Sequence, residues 1–591
     1  MKQRIIAIIA AAAMLALALC ACGTGGNPPA GATQSSAAQD ATTAAASEAT
    51  TTAAASTTSA ATAAAESKTV AQTADGATAE PVVLDLFVDI SWLFDYFQCT
   101  PETRTGKVVL EKTGATINLI RAKTDDSSQI NLLLASDDLP DFVCVGNNVG
   151  IFPALRESGK VMDFMPLIKS YAPELYDTMG EGYWNYFKSD TGINNYFAYS
   201  AFTPKNSGKI SAFNAGNGGL FARGDIWDAM GGDDIDITTP EKFKAHMAAV
   251  KEKFPDTKPI MFSNITTLGL ATTTHGVSFF KSMFGIEGYY ETPDGKIMAS
   301  YNHPEYANFL LWLNGMHRDG YYLREDLSAT GEQRAALVGS GVVYMKYDSE
   351  INELAYPPAG HPDSRWTAAP LFNTSKMMKG GNLFWTATFI SNKCKNPEAA
   401  TKLMSFCASD EGDRLMAWGQ EGIDYEYDAN GAPARTKAYV DAHKDSVESV
   451  NYDNARGVIF GFSNWADSEF EILSMPNDEP WMKRARDLYQ DYYYWRLNFM
   501  GIDPVGNMQE SIIMQQCSDY FNEMIPQIVL AESESECLAM FETMKGELSK
   551  KGIAELEAYW TEQSDKRKEA FGADKMVVRG ADNAMYHKLY G

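Results

Sequence analysis

A strand followed by two helices, at residues 387–425, most constrains what this chain can fold into. The unit opens with a short apolar run, which is typical of a buried strand. Asn396 is placed to cap the first helix, and Pro397 occupies its first position, where a missing N–H costs nothing. Ser409 is placed to cap the second helix, and Gly419 to end it. These signals predict an α/β unit of one buried strand and two amphipathic helices.

The length and charge of the chain limit its number of domains and its kinds of binding partner. A chain of 591 residues is too long for a single core and predicts at least two domains. A net charge of −26 disfavours binding to nucleic acid and electrostatic binding to anionic lipid, since both need clusters of basic residues. The eight cysteines are scattered without metal-ligand spacing, so we expect mostly buried free thiols rather than a zinc site or a dense disulfide framework.

Four short motifs carry a resemblance to a known family. Asn-Pro-Glu-Ala-Ala (396–400), Ser-Asp-Glu-Gly (409–412) and Gly-Gln-Glu-Gly-Ile-Asp-Tyr (419–425) occur in order, and Ala-Ser-Asp-Asp-Leu-Pro-Asp (135–141) precedes them. With these motifs the chain resembles, over residues 82–572, the extracellular solute-binding proteins of bacterial ABC importers, in particular their oligosaccharide-type lipoprotein branch. The resemblance implies an α/β, two-lobed periplasmic-binding-protein-like fold (type II-like). Each lobe would be a mainly parallel sheet flanked by helices, with hinge crossovers between the lobes.

The beginning of the chain predicts export and anchoring. Residues 1–21 have the charged start, apolar run and small final residue of a secretory signal peptide. Ala21 before Cys22 resembles the bacterial lipobox, which implies a diacylglycerol thioether on Cys22; Cys20 is a competing site, and an ordinary signal peptide is the alternative. Residues 22–80 hold this cysteine and a tract of Ala, Thr, Ser and Gly. Such a tract buries too little surface to offset its chain entropy, so we expect a disordered linker.

The order of predicted strands and helices divides the folded part between two lobes. Lobe 1 is expected to comprise residues 81–208 and 382–428. Lobe 2 is expected to comprise residues 209–381 and 429–591, with a long helix over Pro480–Met500.

Enzyme signatures are mostly absent, since the chain has no nucleophile elbow, no P-loop and no His-Glu-x-x-His motif. Residues 426–431 mimic the start of an EF-hand calcium loop, but Lys437 stands where a bidentate Glu is required. We therefore interpret this segment as a hairpin turn and predict no catalytic residue, no cofactor and no metal site. A surface glycoside hydrolase that uses two cleft carboxylates stays an alternative, because carboxylate spacing depends on the fold.

Polar and aromatic residues that follow predicted strands form the candidate ligand site. In open α/β sheets, ligands bind beyond the carboxyl ends of the strands. Aromatic rings can cover the C–H face of a sugar, and Asp and Asn can bind its hydroxyl groups. The predicted ligand-binding residues are Asp89, Trp92, Asn147, Asn148, Tyr347, Asp348, Trp385 and Trp465.

Several of these residues have a purely structural alternative. Trp92 is equally consistent with a core or surface anchor, and Asn147 and Asn148 with a simple turn. Trp385 is consistent with hinge packing. The aromatic cluster at residues 489–495 has helical spacing, so we interpret it as core.

The resemblance implies a lipid-anchored protein on the extracytoplasmic face of a bacterial membrane. It would capture an oligosaccharide or related glycan between its lobes and deliver it to the permease subunits of an ABC transporter, and we expect it to act as a monomer. A binding protein for a peptide or another non-sugar solute is a further alternative.

Overall fold

The computed structural model describes residues 71–72, 78–90, 101–123, 127–146, 151–187, 192–198, 218–271, 276–348, 354, 356–379, 386–443, 480–504, 508–571 and 576–578. The predicted signal peptide, Cys22 and most of the linker lie outside these residues. The last part of the linker, expected to be unstructured up to residue 80, instead carries two short antiparallel strands that pair Ala71 with Ala79. A backbone ladder of this kind depends on pairing, which composition alone does not reveal.

Strands and helices alternate along most of the described chain. The strands are β1 (Ala71–Gln72), β2 (Thr78–Ala79), β3 (Val82–Val88), β4 (Ala115–Arg121), β5 (Phe142–Gly146), β6 (Phe197–Ala198), β7 (Gly219–Arg223), β8 (Lys258–Met261), β9 (Tyr289–Glu291), β10 (Ile297–Ala299), β11 (Val343–Asp348), β12 (Trp366–Ala368), β13 (Met377–Lys379), β14 (Thr386–Ile390), β15 (Tyr425–Tyr427), β16 (Pro433–Arg435), β17 (Tyr493–Arg496) and β18 (Val577–Val578). The helices are α1 (Arg104–Thr113), α2 (Ser128–Ser136), α3 (Ile151–Arg156), α4 (Phe164–Tyr171), α5 (Pro173–Met179), α6 (Glu181–Tyr186), α7 (Gly224–Met230), α8 (Pro240–Lys253), α9 (Val277–Met283), α10 (Tyr306–Arg318), α11 (Gly331–Gly339), α12 (Pro397–Ala408), α13 (Asp410–Trp418), α14 (Lys437–His443), α15 (Pro480–Tyr489), α16 (Gln509–Val529), α17 (Glu534–Lys550) and α18 (Ile553–Phe571).

The first sheet has five strands in the order β4-β3-β5-β14-β6. β3 is parallel to β4 and β5, whereas β14 is antiparallel to β5 and β6. Leu86, Phe87 and Val88 of β3 are fully buried, as expected for an apolar strand that is covered on both faces. Because β14 belongs to the strand–helix–helix unit, the chain returns to this sheet late.

A second sheet has four strands in the order β12-β7-β11-β8, and a third has the order β13-β17-β18. β7 is antiparallel to β11 and β12, and β8 is parallel to β11. The expectation of mainly parallel sheets is therefore wrong in this detail, since the large sheets are mixed. A local apolar run predicts a strand, but the direction of its neighbour depends on where the chain re-enters the sheet.

The two predicted caps of the strand–helix–helix unit differ. The Oγ of Ser409 accepts a hydrogen bond from the N–H of Gly412 at 3.0 Å, which confirms this cap. Asn396 makes no side-chain cap hydrogen bond, so its predicted capping role is wrong. Its ψ of 61° departs from the extended backbone of a capping residue, whereas Ser409 has a ψ of 164°.

A buried carboxylate shapes the motif at residues 419–425. Arg104 of α1 donates two hydrogen bonds to Asp424, at 2.8 and 3.0 Å, and the N–H of Gln420 donates another at 2.7 Å. Gly419 has a φ of 79°, and a Cβ there would lie 2.2 Å from Oδ2 of Asp424. The motif therefore needs glycine at its first position and links the end of α13 to α1 through an ion pair whose carboxylate is buried.

The predicted helix Pro480–Met500 is wrong in its second half. Helix α15 ends at Tyr489, and β17 follows. β17 pairs in parallel with β13, with Tyr493 opposite Met377. Tyr and Trp side chains favour strands, and the partner strand lies far earlier in the chain, so pairing overrides the helical spacing.

The aromatic cluster at residues 489–495 is core, as predicted. The hydroxyl of Tyr489 is within hydrogen-bonding distance of the carbonyls of Leu220 and Ala369, at 2.8 and 2.9 Å, and accepts from the N–H of Leu220 at 3.2 Å. Tyr493 donates to the carbonyl of Gly218 at 3.1 Å. These side chains therefore fasten β17 and α15 to the second sheet.

The cysteines of the described ranges are free and buried, which confirms the expectation of buried thiols. They are Cys144, Cys394, Cys407, Cys517 and Cys537. Burial raises the pKa of Cys144 to about 12, so this thiol stays protonated at neutral pH.

Candidate ligand-binding site

Asp89 lies directly after β3, at the carboxyl end of the first sheet, as predicted. Its N–H donates to the carbonyl of Cys144 at 3.0 Å, which extends the β3–β5 ladder by one residue. The Oδ2 of Asp89 accepts a hydrogen bond from the hydroxyl of Ser127 at 2.6 Å. Asp89 is only 5% exposed, so its carboxylate is held in a defined orientation beneath the surface.

Ser127 is a partner of Asp89 that sequence reasoning missed. It precedes α2 and would ordinarily be expected to cap that helix, yet its side chain makes no cap hydrogen bond and binds Asp89 instead. Its φ of 55° places a non-glycine residue in the left-handed region, at a cost of about 1–3 kcal/mol. The surrounding structure offsets this cost, and backbone strain of this kind concentrates at functional sites.

Tyr347 and Asp348 were predicted to follow a strand, and in the structure they are the last two residues of β11 in the second sheet. Asp348 accepts an ion-pair hydrogen bond from Nζ of Lys346 at 2.8 Å. The ammonium group of Lys346 also lies 4.9 Å from the centre of the Trp366 ring, within the range of a cation–π contact. Lys346 and Asp348 share one face of the strand because side chains two residues apart point the same way. Sequence reasoning missed Lys346, whose placement depends on Trp366 from another strand.

Tyr347 points to the opposite face of β11 and is largely buried. Its ring packs on that of Phe279, with centroids 4.5 Å apart, and 8% of the residue is exposed. Burial, assisted by the charge of Asp348, raises the pKa of Tyr347 well above its usual range, so the phenol is neutral. The structure thus gives Tyr347 a packing role, and its contact with ligand stays a prediction.

Five predicted ligand-binding residues lie outside the described residues. They are Trp92, Asn147, Asn148, Trp385 and Trp465. The described part of the site consists of polar groups at the strand ends of two different sheets.

The segment that mimics an EF-hand forms a hairpin, as predicted. β15 and β16 pair in antiparallel orientation. Between them, the Oδ1 of Asp428 accepts hydrogen bonds from the N–H groups of Asn430 and Ala432, at 2.8 and 2.9 Å. Its carboxylate is therefore used to close the turn.

Among the residues that the structure describes, no three metal-binding side chains cluster, and no helix is long and apolar enough to cross a membrane.

Several solved structures share this fold. The S. pneumoniae ABC-transporter substrate-binding protein FusA, an EF-hand mutant in complex with fructo-nystose, aligns with a TM-score of 0.61 at 17% identity, covering 82% of this chain and 99% of that chain. The alginate-binding protein AlgQ2 without calcium ion aligns with a TM-score of 0.59 at 16% identity, covering 83% and 99%. An HMO-binding, ABC-transporter-associated solute-binding protein from Bifidobacterium longum infantis aligns with a TM-score of 0.54 at 13% identity, covering 82% and 99%. At these identities the likeness establishes the fold, and the predicted two-lobed α/β class is confirmed.

No curated protein sequence matches the chain significantly. The family model described as bacterial extracellular solute-binding protein matches residues 108–444, which is more than half of the chain. This match confirms the resemblance that the motifs carry, and the chain belongs to the family of bacterial extracellular solute-binding proteins.

Proposed function

We propose that this protein captures a carbohydrate, an oligosaccharide or related glycan, and delivers it to the permease of an ABC importer. The family supports solute capture outside the cytoplasm, and the likeness to FusA with bound fructo-nystose supports a sugar. The observation that carries the proposal is a carboxylate held by a neighbouring side chain at a strand end in each of two sheets. Asp89 is oriented by Ser127 in the first sheet, and Asp348 by Lys346 in the second.

The glycan would bind between two lobes, which we assign to residues 81–208 with 382–428 and residues 209–381 with 429–591. Each described strand of the five-stranded sheet belongs to the first pair of segments. Each described strand of the four- and three-stranded sheets belongs to the second pair. Periplasmic binding proteins close by hinge motion, and a ligand that contacts both lobes favours the closed form.

The chemistry of the proposed site suits a neutral polyol. Oriented carboxylates accept strong hydrogen bonds from sugar hydroxyls, and indole faces cover the C–H surface of a sugar ring. Trp92, Trp385 and Trp465 would supply those faces, and Asn147 and Asn148 would add amide hydrogen bonds. A few such contacts give micromolar affinity, about −8 kcal/mol, which allows release to a permease.

The anchoring proposal rests on the beginning of the sequence. Cleavage before Cys22 and acylation of its thiol would hold a monomer at the outer face of the membrane. The stretch from Gly23 to the first described strand would act as a tether. Two or three acyl chains anchor a protein stably because each buried CH₂ contributes about 0.8 kcal/mol.

A thermal-shift screen against a glycan library tests the proposal. Capture predicts that a glycan raises the unfolding midpoint and is recovered intact, whereas a glycoside hydrolase would return shortened products. Trp92→Ala should weaken any hit at least tenfold, about 1.4 kcal/mol. Tyr427→Ala, on the β15–β16 hairpin and 43% exposed, serves as the control and should leave the affinity unchanged. Binding of peptides but of no glycan would refute carbohydrate capture.

A further inference from the structure

A polar cavity of about 420 Å³ lies beside the β9–β10 hairpin and shares no residue with the strand-end site. Its volume falls in the range of about 300–1,000 Å³ that is usual for small-molecule sites. The side chains that matter for its chemistry are Glu287, Tyr290, Glu291, His303, Lys376 and Arg496.

The two carboxylates of this cavity are already compensated by cations. Arg496 binds Glu287 at 2.8 Å and also pairs with Glu291. Lys568 binds Glu291 at 2.8 Å, and Tyr494 donates its hydroxyl hydrogen to Glu287. Each ionised carboxylate has about four lone-pair sites, so both can still accept hydrogen bonds from a ligand.

Three hydrogen-bond donors of the cavity are not used by the described part of the chain. Lys376 is exposed and forms no ion pair there, and the hydroxyl of Tyr290 forms no hydrogen bond there. The Nδ1 of His303 accepts from the N–H of Glu305 at 3.1 Å, so the hydrogen of the neutral ring lies on Nε2. Burial, and then the charge of Lys376, lower the pKa of His303, which keeps the ring neutral at pH 7.

Two of these donors, Tyr290 and His303, are in direct contact. The rings of Tyr290 and His303 meet edge to face with centroids 5.2 Å apart. Arg496 and Lys568 are paired with Glu287, Glu291 and Asp565, whereas Lys376 forms no ion pair in the described part of the chain. The ammonium group of Lys376 is therefore the uncompensated charge that the carboxylate of a ligand could pair with in this cavity.

We propose that this cavity binds a small hydroxylated carboxylic acid of the hexuronate or aldonate class. Lys376, His303 and Tyr290 would bind the carboxylate, and the free lone pairs of Glu287 and Glu291 would accept from its hydroxyl groups. The proposal does not depend on glycan capture at the strand ends, because it uses other side chains.

Isothermal titration calorimetry of the full chain at pH 7 with glucuronate and glucuronamide tests the proposal, since the two ligands differ only in the charged group. Glucuronate should bind at least tenfold more tightly than the amide. Lys376→Gln should weaken glucuronate binding at least tenfold. Lys395→Gln removes another exposed lysine that forms no ion pair in the described part of the chain, and should leave the affinity unchanged.

Several results would overturn the proposal. They are equal binding of the two ligands, no binding of either, or equal effects of the two lysine substitutions. An unchanged unfolding midpoint in Lys376→Gln would show that a loss of affinity is not a loss of fold. Hits of the glycan screen at the strand-end site should bind the Lys376→Gln variant as they bind the wild type, so failure here would leave the capture proposal standing.

Discussion

The carboxyl group of Glu557 links α18 to the edge of β10. Its Oε1 accepts hydrogen bonds from the N–H of Ala299 and from Nδ2 of Asn302, both at 3.0 Å. One helical turn later, the Oγ1 of Thr561 accepts from the N–H of Ile297 at 2.9 Å. Alternate N–H groups of β10 are therefore bonded to helix side chains, which covers an edge that would otherwise be open to pairing.

Burial of Glu557 makes the stability of this contact depend on pH. Burial raises its pKa from 4.5 to about 7, although the hydrogen bonds from Ala299 and Asn302 act in the opposite direction. Between these values the unfolded chain has lost the proton that the folded chain still holds. The stability that this group contributes is therefore fully present below pH 4.5 and is lost as the pH rises through 7. At about 1.36 kcal/mol per pKa unit, Glu557 by itself should lower the free energy of unfolding by roughly 2.5 kcal/mol between pH 5 and pH 8, measured as the difference between the wild type and a variant that cannot ionise at this position.

Urea unfolding at pH 5 and pH 8 measures this loss. In Glu557→Gln the loss should disappear, because the amide oxygen can accept the same two hydrogen bonds and does not ionise. Glu555→Gln, at an exposed position of the same helix, should keep the wild-type pH dependence. If Glu557→Gln and the wild type lose the same free energy between the two pH values, burial of Glu557 does not govern the effect.

Two further substitutions test buried contacts of the fold. Arg104→Met leaves the carboxylate of Asp424, 3% exposed, without its cation and should lower the free energy of unfolding by about 3 kcal/mol in urea. Lys112→Met, which breaks the exposed pair with Glu411, should have no measurable effect, and equal losses in both variants would contradict the assignment. Tyr489→Phe removes the hydroxyl that is bonded to Leu220 in β7 and to Ala369 just after β12, and it should cost about 2 kcal/mol by the same measurement. An unchanged midpoint would show that these hydrogen bonds are replaced.

Elements specified by neighbouring residues could be predicted from the sequence. The Oγ1 of Thr239 accepts from the N–H of Lys242 at 3.3 Å, Pro240 stands at the first helical position, and α8 begins there. Gly295 has a φ of 87° in the turn between β9 and β10, as an Asp-Gly hairpin requires. In these cases the chemical cause and its structural effect lie within a few residues.

Features that depend on distant residues could not be predicted. The strand character of Tyr493 follows from its pairing with Met377, which no local pattern displays. At the candidate site, Asp89 was found because it follows an apolar strand, but its partner Ser127 comes from another element. The placement of Lys346 against Trp366 likewise requires the sheet to be assembled.

The motifs that identify the family contain residues that hydrogen-bond to distant segments of the chain. The Oδ2 of Asp141 accepts from the N–H of Asp85 in β3 at 2.9 Å, and its carbonyl accepts from the N–H of Ser391, just after β14, at 2.9 Å. Asp424 binds Arg104 in the same manner across the helices. A substitution that removes the carboxylate of Asp141 or Asp424 leaves the donors that it binds unpaired, so the fold itself demands these residue types. Ligand choice makes no such demand on them, and for this reason the same motifs specify the solute-binding fold without specifying a solute.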